Sequence, residues 1–248
     1  MYKIHLFPIF GIEFNLIVQM IDPYSKNTKH YLAVDCIIFG FDTVELKLLC
    51  IKRDFEPEKG RWTLMGGFLK ENESIDEAAD RVLFELTGLN DIFLEQLQAY
   101  GDKERDHAGR VISIAYYALI NSVKFEDIIS KDFSASWISI NQLPELIFDH
   151  SEMVSKALRR LQRRCRSQPI GFELLPEKFT LPQLQNLYEG IFDREYDKRN
   201  FRKKILSLGI LEKLEEKEKI SSKKGAFYYQ FDKKKYDELM DSGFNFEI

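Results

Sequence analysis

Apolar and polar positions along the chain separate into strand-like and helix-like stretches. Tyr31 to Phe39 (YLAVDCIIF) is apolar and rich in β-branched residues, with one carboxylate, Asp35, and predicts a largely buried strand. Leu46 to Arg53 predicts its partner, joined to it through a loop containing Gly40 and Asp42. Trp62 to Met65, Gln98 to Tyr100, Val111 to Leu119 and Trp137 to Ile140 predict further strands. Ser74 to Thr87 has the helical period, with Ser74 as N-cap, Glu77 completing a capping box and Gly88 at the C-terminus. Glu152 to Arg166 predicts a helix with Met153, Ala157, Leu158 and Leu161 on one side and Lys156, Arg159, Arg160, Arg163, Arg164 and Arg166 elsewhere. Pro169 and Gly171 end it. Leu181 to Phe192, capped by Thr180, and Lys198 to Leu208, capped by Asp197 and followed by Gly209, predict two more helices. Ile210 to Leu214 and Ala226 to Phe231 predict a hairpin.

Composition adds a division between the two halves. The 248 residues are 44% hydrophobic and 31% charged, which excludes a disordered or collagen-like chain. Residues 1–150 carry 15 basic and 24 acidic side chains, net −9, whereas 151–248 carry 21 and 16, net +5. A basic second half suits an anionic partner such as nucleic acid. Cys36, Cys50 and Cys165 are scattered, without metal-ligand spacing, and point to a reducing, cytoplasmic location. Leu6 to Ile21 is interrupted by Pro8, Gly11, Glu13 and Asn15 and is too short to predict a membrane span or, lacking a cleavage site, a signal peptide. No pattern joins residues 1–19 to the rest of the chain, and Met20 offers an alternative start.

The segment GFLKENESIDEAADRVLFELTGL, starting at Gly67, resembles the Nudix box G-x5-E-x7-R-E-U-x-E-E-x-G-U, where U is aliphatic. Seven of nine constrained positions agree: Gly67, Glu73, Arg81, Leu83, Glu85, Gly88 and Leu89. Val82 and Leu86 stand where the family has glutamates. Being i,i+4 they share one helical face, so a face that should offer hard oxygen ligands to Mg²⁺ is apolar. The box is therefore expected to be degenerate: a scaffold with no catalytic residue, no metal and no cofactor. The rival is a hydrolase with displaced ligands among Glu71, Asp76, Glu77, Glu104 and Asp106.

The segment DKRNFRKKILSLG, from Asp197, places Phe201, Ile205 and Leu208 on one stripe. Lys198, Arg199, Asn200, Arg202, Lys203 and Lys204 occupy the remaining surface. Helix, turn, helix and hairpin is the winged-helix order, and the second helix of such a unit lies in the DNA major groove. Arginine and asparagine read base edges there and lysine meets phosphate. Lys223 and Lys224 at the hairpin tip are expected to reach adjacent phosphates. A solvated helix face is the plain alternative.

The combination resembles the Nudix-related transcriptional regulators over about residues 30–240. The implied fold class is α+β, a Nudix-like α/β/α sandwich followed by a winged helix-turn-helix domain. Residues 1–29 are an extension, 30–150 the effector-sensing domain, 151–170 a basic linker helix and 171–248 the DNA-binding domain. Within the family, VDCIIFGF, LMGGF with Met65 in place of a proline, RVISIAYYAL, LPELIFDH and DKRNFRKK look like the L-arabinose-responsive repressors. The resemblance implies a homodimeric repressor on a palindromic double-stranded operator, governed by a pentose effector. Candidate effector-binding residues are Asp35, Arg53, Trp62, Glu73, Arg105, Asp106 and Arg110. Each has a structural alternative, such as Asp35 pairing internally with Arg53 or Trp62 lying in the core. Two other functions remain: a Nudix hydrolase acting on a nucleoside diphosphate derivative such as ADP-ribose, and an RNA-binding or protein-interaction adaptor.

Overall fold

Strand β1 (Tyr31–Phe41) pairs in parallel along its whole length with β6 (Val111–Asn121), and the two form the centre of a mixed sheet. The structure, a computed structural model, describes residues 26–125, 135–219, 225–243 and 246. The readings for residues 1–19, Met20, Lys223 and Lys224 fall outside the described residues. Around the central pair, β2 (Leu46–Lys52) and β4 (Met65–Phe68) run antiparallel to β1. β3 (Trp62–Thr63) and β7 (Ala135–Ser139) pair with β2, and β5 (Glu95–Tyr100) with β6. The expected strand Trp62 to Met65 is thus two short strands, divided at Leu64, whose partners are β2 and β1 respectively.

The period of two along β1 explains the layers. Val34, Cys36 and Ile38 face α1 (Ile75–Thr87), meeting Ala78, Ala79, Val82 and Leu83. Ile37, Phe39 and Phe41 face the opposite side, where α2 (His150–Ser167) supplies Met153, Val154, Ala157, Leu161 and Cys165. Both faces are covered, which is why β1 and β6 read as near-continuous apolar runs. Cys36, Cys50 and Cys165 are free and buried; burial pushes the Cys50 and Cys165 thiols up to about 12 and makes them packing residues.

The second face continues without a break into the C-terminal elements. α3 (Leu181–Phe192) starts at Thr180, whose side chain accepts from the Gln183 amide while Gln183 returns the bond. α4 (Lys198–Ser207) is capped by Asp197. A small sheet in the order β8 (Phe179–Thr180), β10 (Ala226–Phe231), β9 (Leu211–Glu218) forms the hairpin unit. A further helix, α5 (Lys233–Asp241), comes after it. Leu184, Tyr188, Phe201 and Ile205 join the same apolar cluster as Phe39 and Leu161. At Gly190 in α3, an added Cβ would lie 3.2 Å from the Leu46 Cβ, so this helix rests directly on the start of β2.

Candidate effector cleft and nucleic-acid interface

Asp35 is the one carboxylate in β1, and its odd-numbered position turns it to the α2 face. There it is buried at 6% exposure, accepts a 2.6 Å hydrogen bond from Ser113 Oγ on β6, and lies 3.6 Å from Arg105. Arg105 is 7% exposed and forks onto Asp149, Nε and Nη2 donating at 2.8 and 2.7 Å. Burial works against the Arg105 charge, but Asp149 and Asp35 more than offset it and hold the guanidinium above its usual value. His150 opens α2. Its Nδ1 accepts from the Leu64 amide at 3.3 Å, which leaves Nε2 as the protonated nitrogen, 3.5 Å from Asp35 Oδ1. Burial keeps this ring neutral by lowering its pKa from 6.5, against the pull of Asp35 and Asp149. The alternative of an internal Asp35–Arg53 pair is not realised; Arg105 stands next to Asp35 instead.

Asp35, Arg105 and His150 floor a cleft of about 110 Å³. Gly66 lines it, and no side chain fits there, because its Cβ would meet Asp35 Oδ1 at 2.3 Å. The rim carries Arg53, Phe55, Asp106 and Phe148. The Arg53 guanidinium lies over Phe55, 3.8 Å from the ring centre, with Phe148 at 5.5 Å. Phe148 holds a left-handed backbone (φ 51°) and meets His150 edge to face. Of the expected effector residues, the structure gathers Asp35, Arg53, Arg105 and Asp106 here. It places Trp62 under Lys52 against the core, Arg110 on the Asp102 carbonyl and Glu73 on Arg81. Sequence reasoning missed Phe55, Phe148, Asp149 and His150. The last three form the FDH end of a segment whose approach to β1 only the folded chain creates.

The box helix bears on metal chemistry. Glu73 accepts from both Arg81 Nε and Nη2, at 2.7 and 2.6 Å, and this pairing lowers its pKa to about 2. Glu85 is shared by Arg81 and Lys70. Val82 is buried against Gly67, where an added Cβ would come within 2.6 Å of Val82 Cγ2, and Leu86 forms an apolar wall of the cleft. Asp76 accepts from the Tyr116 hydroxyl, Glu77 serves the cap of α1, and Asp106 accepts from the Ala108 amide. Among the described residues, no three His, Cys, Asp or Glu side chains gather to hold a metal. The residues present do not fit a Mg²⁺ site: two ligand positions are apolar, and the surviving carboxylates are bound to arginine and lysine.

The basic helix is presented by a fastened turn. Asp193 is left-handed (φ 50°), and Glu189 accepts from the Tyr196 amide while Gln185 donates to the Tyr196 carbonyl. Phe201 and Ile205 anchor α4 in the core. Lys198, Arg199, Asn200, Arg202, Lys203 and Lys204 are all exposed, and none of their side chains forms an ion pair among the described residues. In the hairpin, Lys213 and Lys217 lie over Phe227, and Glu216 pairs with Lys178.

Comparison with known proteins matches residues 29–159 to the NUDIX domain and residues 171–231 to the NrtR DNA-binding winged helix domain. The chain is 33% identical over 210 residues to the ADPR responsive transcriptional repressor NtrR of Acinetobacter baylyi, covering 83% of this chain and 84% of that protein. It is 33% identical over 135 residues to the ADP-ribose pyrophosphatase of Methanocaldococcus jannaschii, covering 54% and 79%. The crystal structure of Shewanella oneidensis NrtR complexed with a 27mer DNA superposes with a TM-score of 0.68 at 29% identity, covering 81% of this chain and 93% of that one. The L-arabinose branch is not supported, and nothing in these relatives points to carbohydrate metabolism. Among the stretches that suggested it, Met65 is fully buried between sheet and helix, and VDCIIFGF and RVISIAYYAL are the two central strands. Most of their residues pack the core. With a Nudix domain followed by the NrtR-type winged helix, the chain belongs to the NrtR family of Nudix-related transcriptional regulators.

Proposed function

We propose that this chain is a DNA-binding transcriptional repressor whose Nudix domain senses ADP-ribose rather than a pentose, and which leaves its operator when ADP-ribose binds. The observation that carries the reading is the pairing, in one chain, of a Nudix box without free metal-binding carboxylates and an exposed, unpaired basic helix behind a capped turn. The box keeps the cleft but not the hydrolytic machinery; the helix supplies the output. The likeness to a repressor named for its response to ADP-ribose, along most of both chains, supports the choice of effector.

The cleft's chemistry suits such a ligand. Arg53 offsets diphosphate charge, Phe55 and Phe148 offer apolar faces for a base, and Asp106 accepts from ribose hydroxyls. At about 110 Å³ the enclosed space takes one end of ADP-ribose and leaves the rest along the rim. Lys198, Arg199, Asn200, Arg202, Lys203 and Lys204 face the operator, and a homodimer would place two such helices on a palindrome.

An electrophoretic mobility shift with the duplex upstream of the protein's own gene cluster tests this. The expected result is a specific complex dissolved by ADP-ribose and untouched by L-arabinose. A complex dissolved by arabinose, or one indifferent to ADP-ribose, overturns the effector assignment. Absence of any specific complex, together with Mg²⁺-dependent cleavage of ADP-ribose, overturns the repressor.

A further inference from the structure

Helix α2 divides its surface sharply. Met153, Val154, Ala157, Leu161 and Cys165 face the core, while Lys156, Arg159, Arg160, Arg163 and Arg166 form the opposite stripe at helical spacing. With Leu97 and Gln98 of β5 these cations line an open groove of about 410 Å³. Acidic neighbours neutralise only part of it. Arg164, just outside the groove, takes Glu95 together with the Tyr117 hydroxyl, and Arg160 reaches the same carboxylate at 3.5 Å. Lys156 pairs with Glu152. Arg159 and Arg163 are exposed and form no ion pair among the described residues, and Arg166 lies over the Phe192 ring.

Phe192 links this groove to the recognition unit. It is the last residue of α3, and Arg194 covers it from the turn at 5.6 Å while Arg166 covers it from α2 at 5.3 Å. Gln162, also in the groove, donates to the Ile191 carbonyl. Arg166 and Arg194 thus meet over one ring, and Lys198 and Arg199 open α4 a few residues further on, after a turn that also carries Asp193, Glu195 and Asp197. We propose that the α2 groove is a second DNA site, in which Arg159, Arg163 and Arg166 hold the phosphate backbone of the duplex whose bases α4 reads. This rests on the repressor reading and extends it: the helix that begins in the effector cleft with His150 is itself a DNA contact. Phosphate contacts of this kind position the duplex without reading its sequence.

The test is the salt dependence of binding by full-length protein, using the upstream duplex and a scrambled duplex of equal length. The triple variant Arg159→Gln, Arg163→Gln, Arg166→Gln is compared with Lys59→Gln, Lys70→Gln, Lys103→Gln, which removes the same charge far along the sequence. Removing one lysine or arginine from a phosphate should lower the slope of log K against log salt by about 1. The α2 variant is expected to lose about 3 in slope, weaken on both duplexes by the same factor, and keep its melting temperature and ADP-ribose binding. An α2 variant that binds like the wild type overturns the second site while leaving the repressor intact. An equal loss in the lysine control also overturns it, by assigning the effect to net charge. A wild type that forms no DNA complex overturns both readings together.

Discussion

His150 shows how a single buried ring ties stability to pH. Its neutral form is favoured in the fold because burial lowers its pKa below 6.5, so the unfolded chain binds the extra proton first as the pH falls. Stability contributed by this residue is complete above that pH and is lost on acidification below it, by at most about 1.4 kcal/mol per pH unit. Urea midpoints at pH 7.5 and 5.5 should therefore differ more for wild type than for His150→Gln; equal differences would mean the ring titrates freely. Asp35 was legible in the sequence because a charge within an apolar strand demands a partner, whereas Arg105, in a loop, could equally have been solvated. The partners were not legible. Asp149 lies 44 residues from Arg105 and His150 lies 86 residues from Leu64, so only tertiary packing brings them together. Arg53 was legible as a cleft residue but not its position over Phe55, which depends on how the loop after β2 folds back.

At the scale of elements, caps and alternation carried most of the information. Ser74 with Glu77, Thr180 with Gln183, and Asp197 begin helices where their side chains can satisfy free amides. β1 and β6 declared themselves by unbroken apolar runs. Helix α5 was not foreseen, because KKKYDELMD has no wide apolar stripe and only Tyr236 and Leu239 touch the core. The box helix α1 offers a sharp test of its degeneracy. Val82 is 2% exposed, so Val82→Glu would bury an unpaired carboxylate and should cost roughly 3 kcal/mol or more. Combining it with Leu86→Glu should lower the urea midpoint without creating Mg²⁺-dependent hydrolysis. A stable double variant that cleaves ADP-ribose would show that this face is a disarmed metal site rather than part of the core.

For the whole molecule, the charge difference between the halves anticipated two modules, the second suited to an anionic partner. Arg199→Ala and Asn200→Ala should reduce the ratio of operator to scrambled-duplex affinity by about 1–3 kcal/mol each while leaving ADP-ribose binding to the free protein unchanged. Unchanged discrimination in a binding titration would remove α4 as the reading helix. If ADP-ribose releases the operator as proposed, linkage requires that operator DNA weaken ADP-ribose binding by the same factor. The apolar cluster that passes from Phe39 through Leu161 to Tyr188 and Phe201 constrains how such regulators can be recombined. A sensor cannot be exchanged here as a free cassette on a tether. Any transplanted sensor must bring a surface that accepts Gly190 at the start of β2 and a helix that seats α3, or the graft exposes its own seam. New specificities are therefore reached more readily by altering the cleft rim, where Phe55 and Arg53 are already near solvent, than by shuffling whole domains.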